Sequence, residues 1–126
     1  MWKSVLIVGT GGFIGSVCRY WCNIWMEKML DSTFPWGTFI ANVSGCFIIG
    51  LVYALTERGG GLSSDWRLFL TVGFCGGYTT FSTFAYNSMT MLTERAFGDF
   101  LLNVALSLLA GLLAVYLGFI LIRSIF

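Results

Sequence analysis

The chain has 126 residues, of which 57% are hydrophobic and 10% are charged, and its mean hydropathy is +0.83. A chain this apolar lies outside the range of ordinary soluble domains, and its length favours one domain over residues 1–126. The net charge of +1 does not indicate a nucleic-acid partner, and the absence of histidine excludes imidazole metal sites and histidine-based acid–base catalysis.

Four apolar segments are long enough for membrane-spanning helices, which need about 20 residues each. In chain order they cover approximately residues 4–26, 38–56, 66–94 and 99–122. The first is predicted to be a retained span, because its apolar run continues without a clear signal-peptide cleavage site. Pro35 blocks helix before the second segment, and Thr38 is predicted to cap it. The sequence therefore predicts an all-α membrane protein with four transmembrane helices.

Small residues recur at a spacing of four in three of these segments. Such a spacing lets helix backbones approach closely in a membrane, where small residues replace the bulky side chains that would keep helices apart. The pairs are Gly11 and Gly15 in the first segment, Gly73 and Gly77 in the third, and Ser107 and Gly111 in the fourth.

The third segment is too long and too irregular for one straight helix. A continuous helix over residues 66–94 would be about 43 Å long, against a hydrocarbon core of about 30 Å. Irregular backbone at membrane depth persists only where protein or a water-filled cavity shelters it, and its freed carbonyls need hydroxyl or cation partners. A glycine kink, with serine and threonine bonded back to the preceding turn, is the alternative. The predicted break contains Gly76, Gly77, Tyr78, Thr79 and Thr80.

Aromatic and amide side chains near this break suit an anion that binds weakly. Phe81 and Phe84 share one helical face, and the positive edges of their rings can face an anion without trapping it. Asn42 and Thr38 share a face of the second segment and provide neutral hydrogen-bond donors. For Phe81 and Phe84 the alternative role is packing against lipid or the core, and for the two polar residues it is hydrogen bonding between helices.

Two further features extend this polar set. Asn103 and Ser107 lie one turn apart on the fourth segment, where they either line a pathway or bond to a neighbouring helix. Arg19 is the one charged residue well inside a predicted span. It either extends to the membrane interface or forms a basic vestibule that gathers anions.

The charged residues outside the spans bear on orientation and on the class of transporter. Four basic residues are predicted on one side of the membrane and two or three on the other. This difference is too small to fix the orientation of the chain, so insertion in one orientation and insertion in both orientations remain alternatives. A bundle of four helices has little interior to shelter a polar pathway, which favours a homo-oligomer. The acidic residues all fall in links or at span ends, which counts against the alternative of a small multidrug-type proton-coupled exporter.

Three motifs along the chain together resemble one known family. GFCGGYTTFSTF (residues 73–84) resembles the signature of the Fluc family of fluoride channels, also called CrcB. GGFIGSVCRY (11–20) and WGTFIANVSGCFIIG (36–50) resemble its motifs in the first and second spans. The resemblance implies an antiparallel, dual-topology homodimer with two separate pores in the bacterial inner membrane. It also implies passive conduction of fluoride, with chloride excluded.

The resemblance also assigns roles to residues of this chain. Phe81 and Phe84 match the pore phenylalanines, and Asn42 matches the pore-lining amide. The main-chain carbonyls of Gly76 and Thr79 from both copies are implied to hold a structural sodium ion at the dimer centre. The remaining matches are Thr38 and Ser107 on a polar track and Arg19 in the vestibule, whereas Asn103 and Gly111 depart from the pattern of some relatives.

Overall fold

The computed structural model describes residues 1–31, 34–59 and 61–125, and the regular structure in these ranges is entirely helical. The predicted all-α class is therefore confirmed. Among the described residues, three helices are individually long and apolar enough to cross a membrane: α1, α2 and α6. The elements are α1 (Trp2–Met29), α2 (Trp36–Glu57), α3 (Ser64–Leu68), a π-helix (Phe69–Cys75), α4 (Gly76–Tyr78), α5 (Phe81–Thr93) and α6 (Phe97–Ile125).

The three long helices correspond to the first, second and fourth predicted spans, and each extends beyond its predicted bounds at both ends. Pro35 stands immediately before α2, as its fixed backbone geometry favours. The prediction that Thr38 caps this helix is wrong, because the helix already begins at Trp36 and has no side-chain cap. Thr38 instead lies in the first turn, with 5% of its surface exposed.

The third predicted span is interrupted by two extended residues. Thr79 has φ −90° and ψ 154°, and Thr80 has φ −150° and ψ 120°, so neither continues the helix. Gly76, Gly77 and Tyr78 were also predicted to lie in the break, which is wrong, because all three are helical.

Close packing explains why Gly77 stays helical. A Cβ atom added to Gly77 would lie 2.5 Å from the carbonyl oxygen of Gly12 on α1. At this position glycine permits contact between two backbones, and the contact offsets the low helix propensity of the residue.

The π-helix is a feature that the sequence analysis missed. The N–H of Gly76, which follows it, donates to the carbonyl of Thr71 five residues earlier. Such wider turns are rare in proteins and are found frequently at functional sites. This one lies directly before the interruption, so the first half of the third span (residues 64–78) is irregular along much of its length.

The interruption lets the two halves of the third span pack against different helices. The first half packs mainly against α1, through the π-helix and α4, whereas α5 packs mainly against α6. Among the described residues, the most extensive contact between two helices is that of α2 with α6. A straight third helix could not serve both neighbours, so the break is part of the packing of the subunit.

Glycine contacts determine both close helix pairs. The predicted pairs in the first and third spans are confirmed, since Gly11 and Gly15 lie against the backbone of the first half of the third span. A Cβ atom added to Gly111 would lie 3.5 Å from Cys46 Sγ, which is an ordinary van der Waals distance. The close approach of α2 to α6 depends instead on Gly50 and Gly118, which contact opposing backbone and which the four-residue pattern did not reveal.

Candidate functional site

Asn42 on α2 holds the interrupted backbone through both ends of its side-chain amide. The N–H of Thr80 donates to Asn42 Oδ1 at 2.7 Å, and Asn42 Nδ2 donates to the carbonyl of Thr80 at 3.1 Å. The amide therefore takes the place of a neighbouring peptide group, which satisfies two backbone groups that would otherwise be unpaired. One hydrogen on Nδ2 remains available, because an amide nitrogen carries two donors.

Hydroxyl groups explain why the helix stops and restarts where it does. Thr79 Oγ1 donates to the carbonyl of Cys75 at 2.8 Å, in the last turn of the first half. Thr80 Oγ1 accepts the N–H of Thr83 at 3.2 Å and so forms the N-cap of α5. The hydroxyl-rich sequence after the glycines thus provides the local partners that a broken helix needs.

These same contacts divert the usual donors from two backbone carbonyls. In a continuous helix the carbonyl of Gly76 would accept the N–H of Thr80, but that N–H is donated to Asn42. The carbonyl of Thr79 would accept the N–H of Thr83, which is donated to Thr80 Oγ1. These are the two carbonyls that the family resemblance links to sodium.

The chemistry of the two carbonyls fits a hard monovalent cation, which unwound main-chain oxygens coordinate in membrane proteins. Gly76 is exposed and Thr79 is half-buried, so both residues contribute to the surface of the subunit. In the described parts of the chain, no group of three or more acidic or thiol side chains could hold a metal ion. A cation at this position would therefore be coordinated by main-chain oxygens.

Arg19 lies beside the break. Its Nε donates to the carbonyl of Gly77 at 3.1 Å, and the side chain is half-buried. This carbonyl belongs to the last turn of the first half, where the negative end of the helix dipole favours a cation. The structure thus gives Arg19 a hydrogen-bond partner at the interruption.

Four of the predicted pathway residues meet in one cleft between α2, the break, α5 and α6. The cleft has a volume of about 340 Å³. The rings of Phe81 and Phe84 lie 5.8 Å apart between centroids, at 47° to each other. The described residues that line the cleft carry no charge, and they are Asn42, Gly45, Cys46, Ile49, Thr79, Thr80, Phe81, Phe84, Ser107, Leu108, Gly111 and Val115.

The cleft is open on one side within the single chain. Phe81 is 79% exposed, although it belongs to the centre of the predicted site.

The other predicted pathway residues lie elsewhere. Thr38 lines a second cleft, of about 540 Å³, at the end of α2 where the helix begins. There its hydroxyl accepts a hydrogen bond from Asn87 Nδ2 at 3.4 Å, a partner that the sequence analysis did not single out.

Asn103 lines neither cleft and is 1% exposed. Its alternative role, hydrogen bonding between helices, is the one that its contacts show, because Nδ2 donates to Ser88 on α5.

Polar contacts near the helix ends place several basic residues at one end of the subunit. Lys3 and Asp65 form a salt bridge of 2.9 Å between the starts of α1 and α3. Arg58 donates to the carbonyl of Arg123 at 3.3 Å, which joins the ends of α2 and α6. Because a short link connects α2 to α3, the two contacts lie at the same end of the subunit. The count of basic residues on each side of the membrane made the same assumption.

The chain is similar to one family and to several named relatives over almost its whole length. Residues 6–119 match the family model described as CrcB-like protein, Camphor Resistance (CrcB). A relative from Leptospira interrogans is 40% identical over 122 residues, which cover 97% of this chain and 96% of the relative. A relative from Bacteroides fragilis is 46% identical over 119 residues, covering 92% of this chain and 93% of the relative. Both are named fluoride-specific ion channel FluC.

Proposed function

The chain belongs to the CrcB family, and from this premise we infer that it is a fluoride-specific ion channel, a multi-pass membrane protein that is not an enzyme. The observation that carries the assignment of the pathway is the uncharged cleft that joins Phe81, Phe84, Asn42 and Ser107. The channel would be located in the bacterial inner membrane, where it would release cytoplasmic fluoride and confer resistance to it.

The interrupted third span is proposed as the fourth membrane crossing. Residues 64–78 and α5 together replace one long helix, and neither half alone is long enough to cross. The polar backbone at Thr79 and Thr80 would then lie near the bilayer midplane. Asn42 and the cleft would shelter it from lipid, as such backbone requires.

The chemistry of the cleft suits fluoride because it offers weak, neutral interactions. Fluoride is small and holds its water tightly, so a narrow pathway has to replace that water. The second Nδ2 hydrogen of Asn42 and the positive edges of the two rings can do so. The absence of a cationic side chain among the described lining residues keeps binding weak enough for the ion to leave again.

Passive conduction is sufficient for fluoride export. Hydrogen fluoride crosses bilayers as a neutral acid and ionises in a near-neutral cytoplasm, where the anion is trapped. A membrane potential of 100 mV, negative inside, contributes about 2.3 kcal/mol per charge, equivalent to roughly a fiftyfold concentration ratio at equilibrium. The channel therefore needs no coupling to an energy source.

We further propose that two copies pair in an antiparallel, dual-topology homodimer with two separate pores. The exposed ring of Phe81 and the open side of the cleft support a second copy as the missing wall. The small difference in basic residues between the two ends supports insertion in both orientations. Two copies related by an axis in the membrane plane would bring their third spans together.

A sodium ion at the dimer centre would be held by the carbonyls of Gly76 and Thr79 from both copies. The diversion of their usual N–H donors supports this assignment, because each carbonyl is free to face a cation. When bound, the ion would neutralise the carbonyl dipoles and add positive potential near the two pathways. Gly76 and Thr79 would hold the ion, whereas Asn42 and the Thr80 hydroxyl would keep their carbonyls free.

The alternative of a proton-coupled exporter receives no support from the comparisons, which name fluoride channels. Within the described residues the buried polar or charged side chains are Thr38, Ser88 and Asn103, none of which can exchange a proton near neutral pH.

Fluoride efflux from liposomes tests the proposed function. Purified protein is reconstituted into vesicles loaded with fluoride and chloride, and an ionophore for potassium carries the balancing charge. We expect rapid fluoride release on addition of the ionophore, little chloride release, and no release driven by a pH gradient alone. Equal release of both anions, or fluoride release that requires a pH gradient, would contradict the proposal.

A further inference from the structure

A chain of hydrogen bonds joins α6 to the backbone of Phe84 on α5. Ser107 Oγ donates to Asn103 Oδ1 at 3.4 Å, and Asn103 Nδ2 donates to Ser88 Oγ at 3.0 Å. Ser88 Oγ in turn donates to the carbonyl of Phe84 at 2.8 Å. The chain therefore runs from one residue that lines the cleft to another, through two side chains that do not line it.

The two middle members of this chain are out of reach of an ion in the cleft. Asn103 is 1% exposed and Ser88 is 7% exposed. Their polar atoms bond to each other, to the Ser107 hydroxyl and to the backbone of α5, and no buried side-chain polar atom of the described residues lacks a partner. A buried hydrogen-bond network of this kind fixes one arrangement of the helices that it joins.

The attachment of α5 to the rest of the subunit depends heavily on this network. Only Ser88 and Met91 are buried among the residues of α5. Half of the large apolar side chains of the same helix are exposed, including Tyr86 at 72% and Met89 at 59%. With so little apolar burial in the subunit, a specific hydrogen bond to α6 carries more of the positioning than it would in a well-packed helix.

We propose that Asn103 and Ser88 are positioning residues that fix the ring of Phe84 in the fluoride pathway, and that neither binds the ion. The Asn103 amide holds the Ser88 hydroxyl, and that hydroxyl holds the carbonyl of the residue that carries the ring. A serine hydroxyl bonded to the carbonyl four residues earlier also bends a helix locally. The network therefore sets both the distance of this turn from α6 and its tilt. The inference rests on the proposed fluoride pathway.

Removing either member should slow conduction by a similar factor. In Ser88→Ala, the Asn103 amide loses its partner and the carbonyl of Phe84 loses one donor. In Asn103→Leu, a side chain of similar size cannot hold the Ser88 hydroxyl. We expect each variant to conduct fluoride about fivefold more slowly, the factor that corresponds to the Asn103–Ser88 hydrogen bond that both variants lose. We expect the double variant to be no slower than either single variant, because both changes break one link.

The experiment measures fluoride efflux from liposomes for wild type, both single variants and the double variant, with the oligomeric state checked by gel filtration. Ser88→Thr keeps a hydroxyl in the same place and should recover most of the rate. Thr90→Val is the matched control, since the Thr90 hydroxyl donates within α5 to the carbonyl of Tyr86 at 3.0 Å. It should conduct at the wild-type rate.

Three results would overturn the positioning role while leaving the fluoride channel intact. They are a wild-type rate in Ser88→Ala, a double variant whose loss is the product of the single losses, and a Ser88→Thr variant as slow as Ser88→Ala. If Ser88→Ala conducted at the wild-type rate while Asn103→Leu was slow, direct contact between Asn103 and the ion would explain the difference. Absence of fluoride efflux in the wild-type protein would overturn the proposed function as well.

Discussion

Asn42→Leu removes the side chain that holds the interrupted backbone at Thr80. Two hydrogen bonds are lost, of 2.7 and 3.1 Å, and leucine replaces neither. Each is worth about 1 kcal/mol net, so the broken conformation should lose about 2 kcal/mol relative to a continuous helix. That loss shifts the balance between the two conformations roughly thirtyfold. The second Nδ2 hydrogen, which the proposed pathway uses as a donor, is lost with them.

Fluoride efflux from liposomes measures the effect, with gel filtration to confirm that the variant still assembles. We expect efflux to fall by up to about thirtyfold, the limit reached when the continuous helix becomes the dominant conformation. Thr56→Val, which removes a hydroxyl that donates to the carbonyl of Val52 on the same helix, is the control and should conduct normally. Asn42→Asp keeps the acceptor for the Thr80 N–H but adds a negative charge, so it should assemble and still conduct poorly. Efflux at the wild-type rate in Asn42→Leu would refute the reasoning.

Three further predictions follow from the pathway, the ion site and the packing. Phe81→Ile or Phe84→Ile should lower fluoride efflux about tenfold with the oligomer intact, the effect of losing ~1.4 kcal/mol of ring–anion attraction, and normal efflux in both would remove the rings from the mechanism. Replacing sodium with a large organic cation should slow efflux or weaken the dimer in gel filtration, whereas indifference to the cation would contradict the ion site. Gly77→Ala, whose Cβ would lie 2.5 Å from Gly12 O, should destabilise the protein by about 1–3 kcal/mol in thermal unfolding, whereas Gly9→Ala, with no atom within 4 Å, should not.

The positions of the long helices could be predicted because they depend on bulk hydrophobicity. The long apolar runs indicated α1, α2 and α6, and only the bounds were too short. The interruption was also visible in the sequence, because the run of hydroxyls after the two glycines supplies the partners that irregular backbone needs at membrane depth. The resemblance to a known family then linked the residues around the break to an ion pathway.

The residues that form the break could not be predicted from local propensity. Glycine is a poor helix former, so Gly76 and Gly77 were placed in the break, but both are helical, and Gly77 lies in close contact with α1. The helix ends at Tyr78, because Asn42, nearly forty positions earlier in the chain, takes the N–H of Thr80. A partner this distant in sequence leaves no local signal.

The role of Asn103 required the packing of α5 on α6. The sequence placed it one turn from Ser107 on a single helical face, which is consistent with both a pathway and a helix contact. Burial and the bond to Ser88 distinguish the two, since an ion in the cleft cannot reach a side chain that is 1% exposed. Ser88 itself gave no signal, because a single serine in an apolar helix is ordinary.

The most direct test of the account is the reversal potential of the current through the protein in a planar bilayer. The two solutions differ tenfold in fluoride, share one chloride concentration, and are then made to differ in pH. A passive fluoride-selective channel predicts a reversal potential near 59 mV, the equilibrium value for a single charge, that the pH difference does not move. A reversal potential near zero, or one that follows the pH difference, would contradict the account.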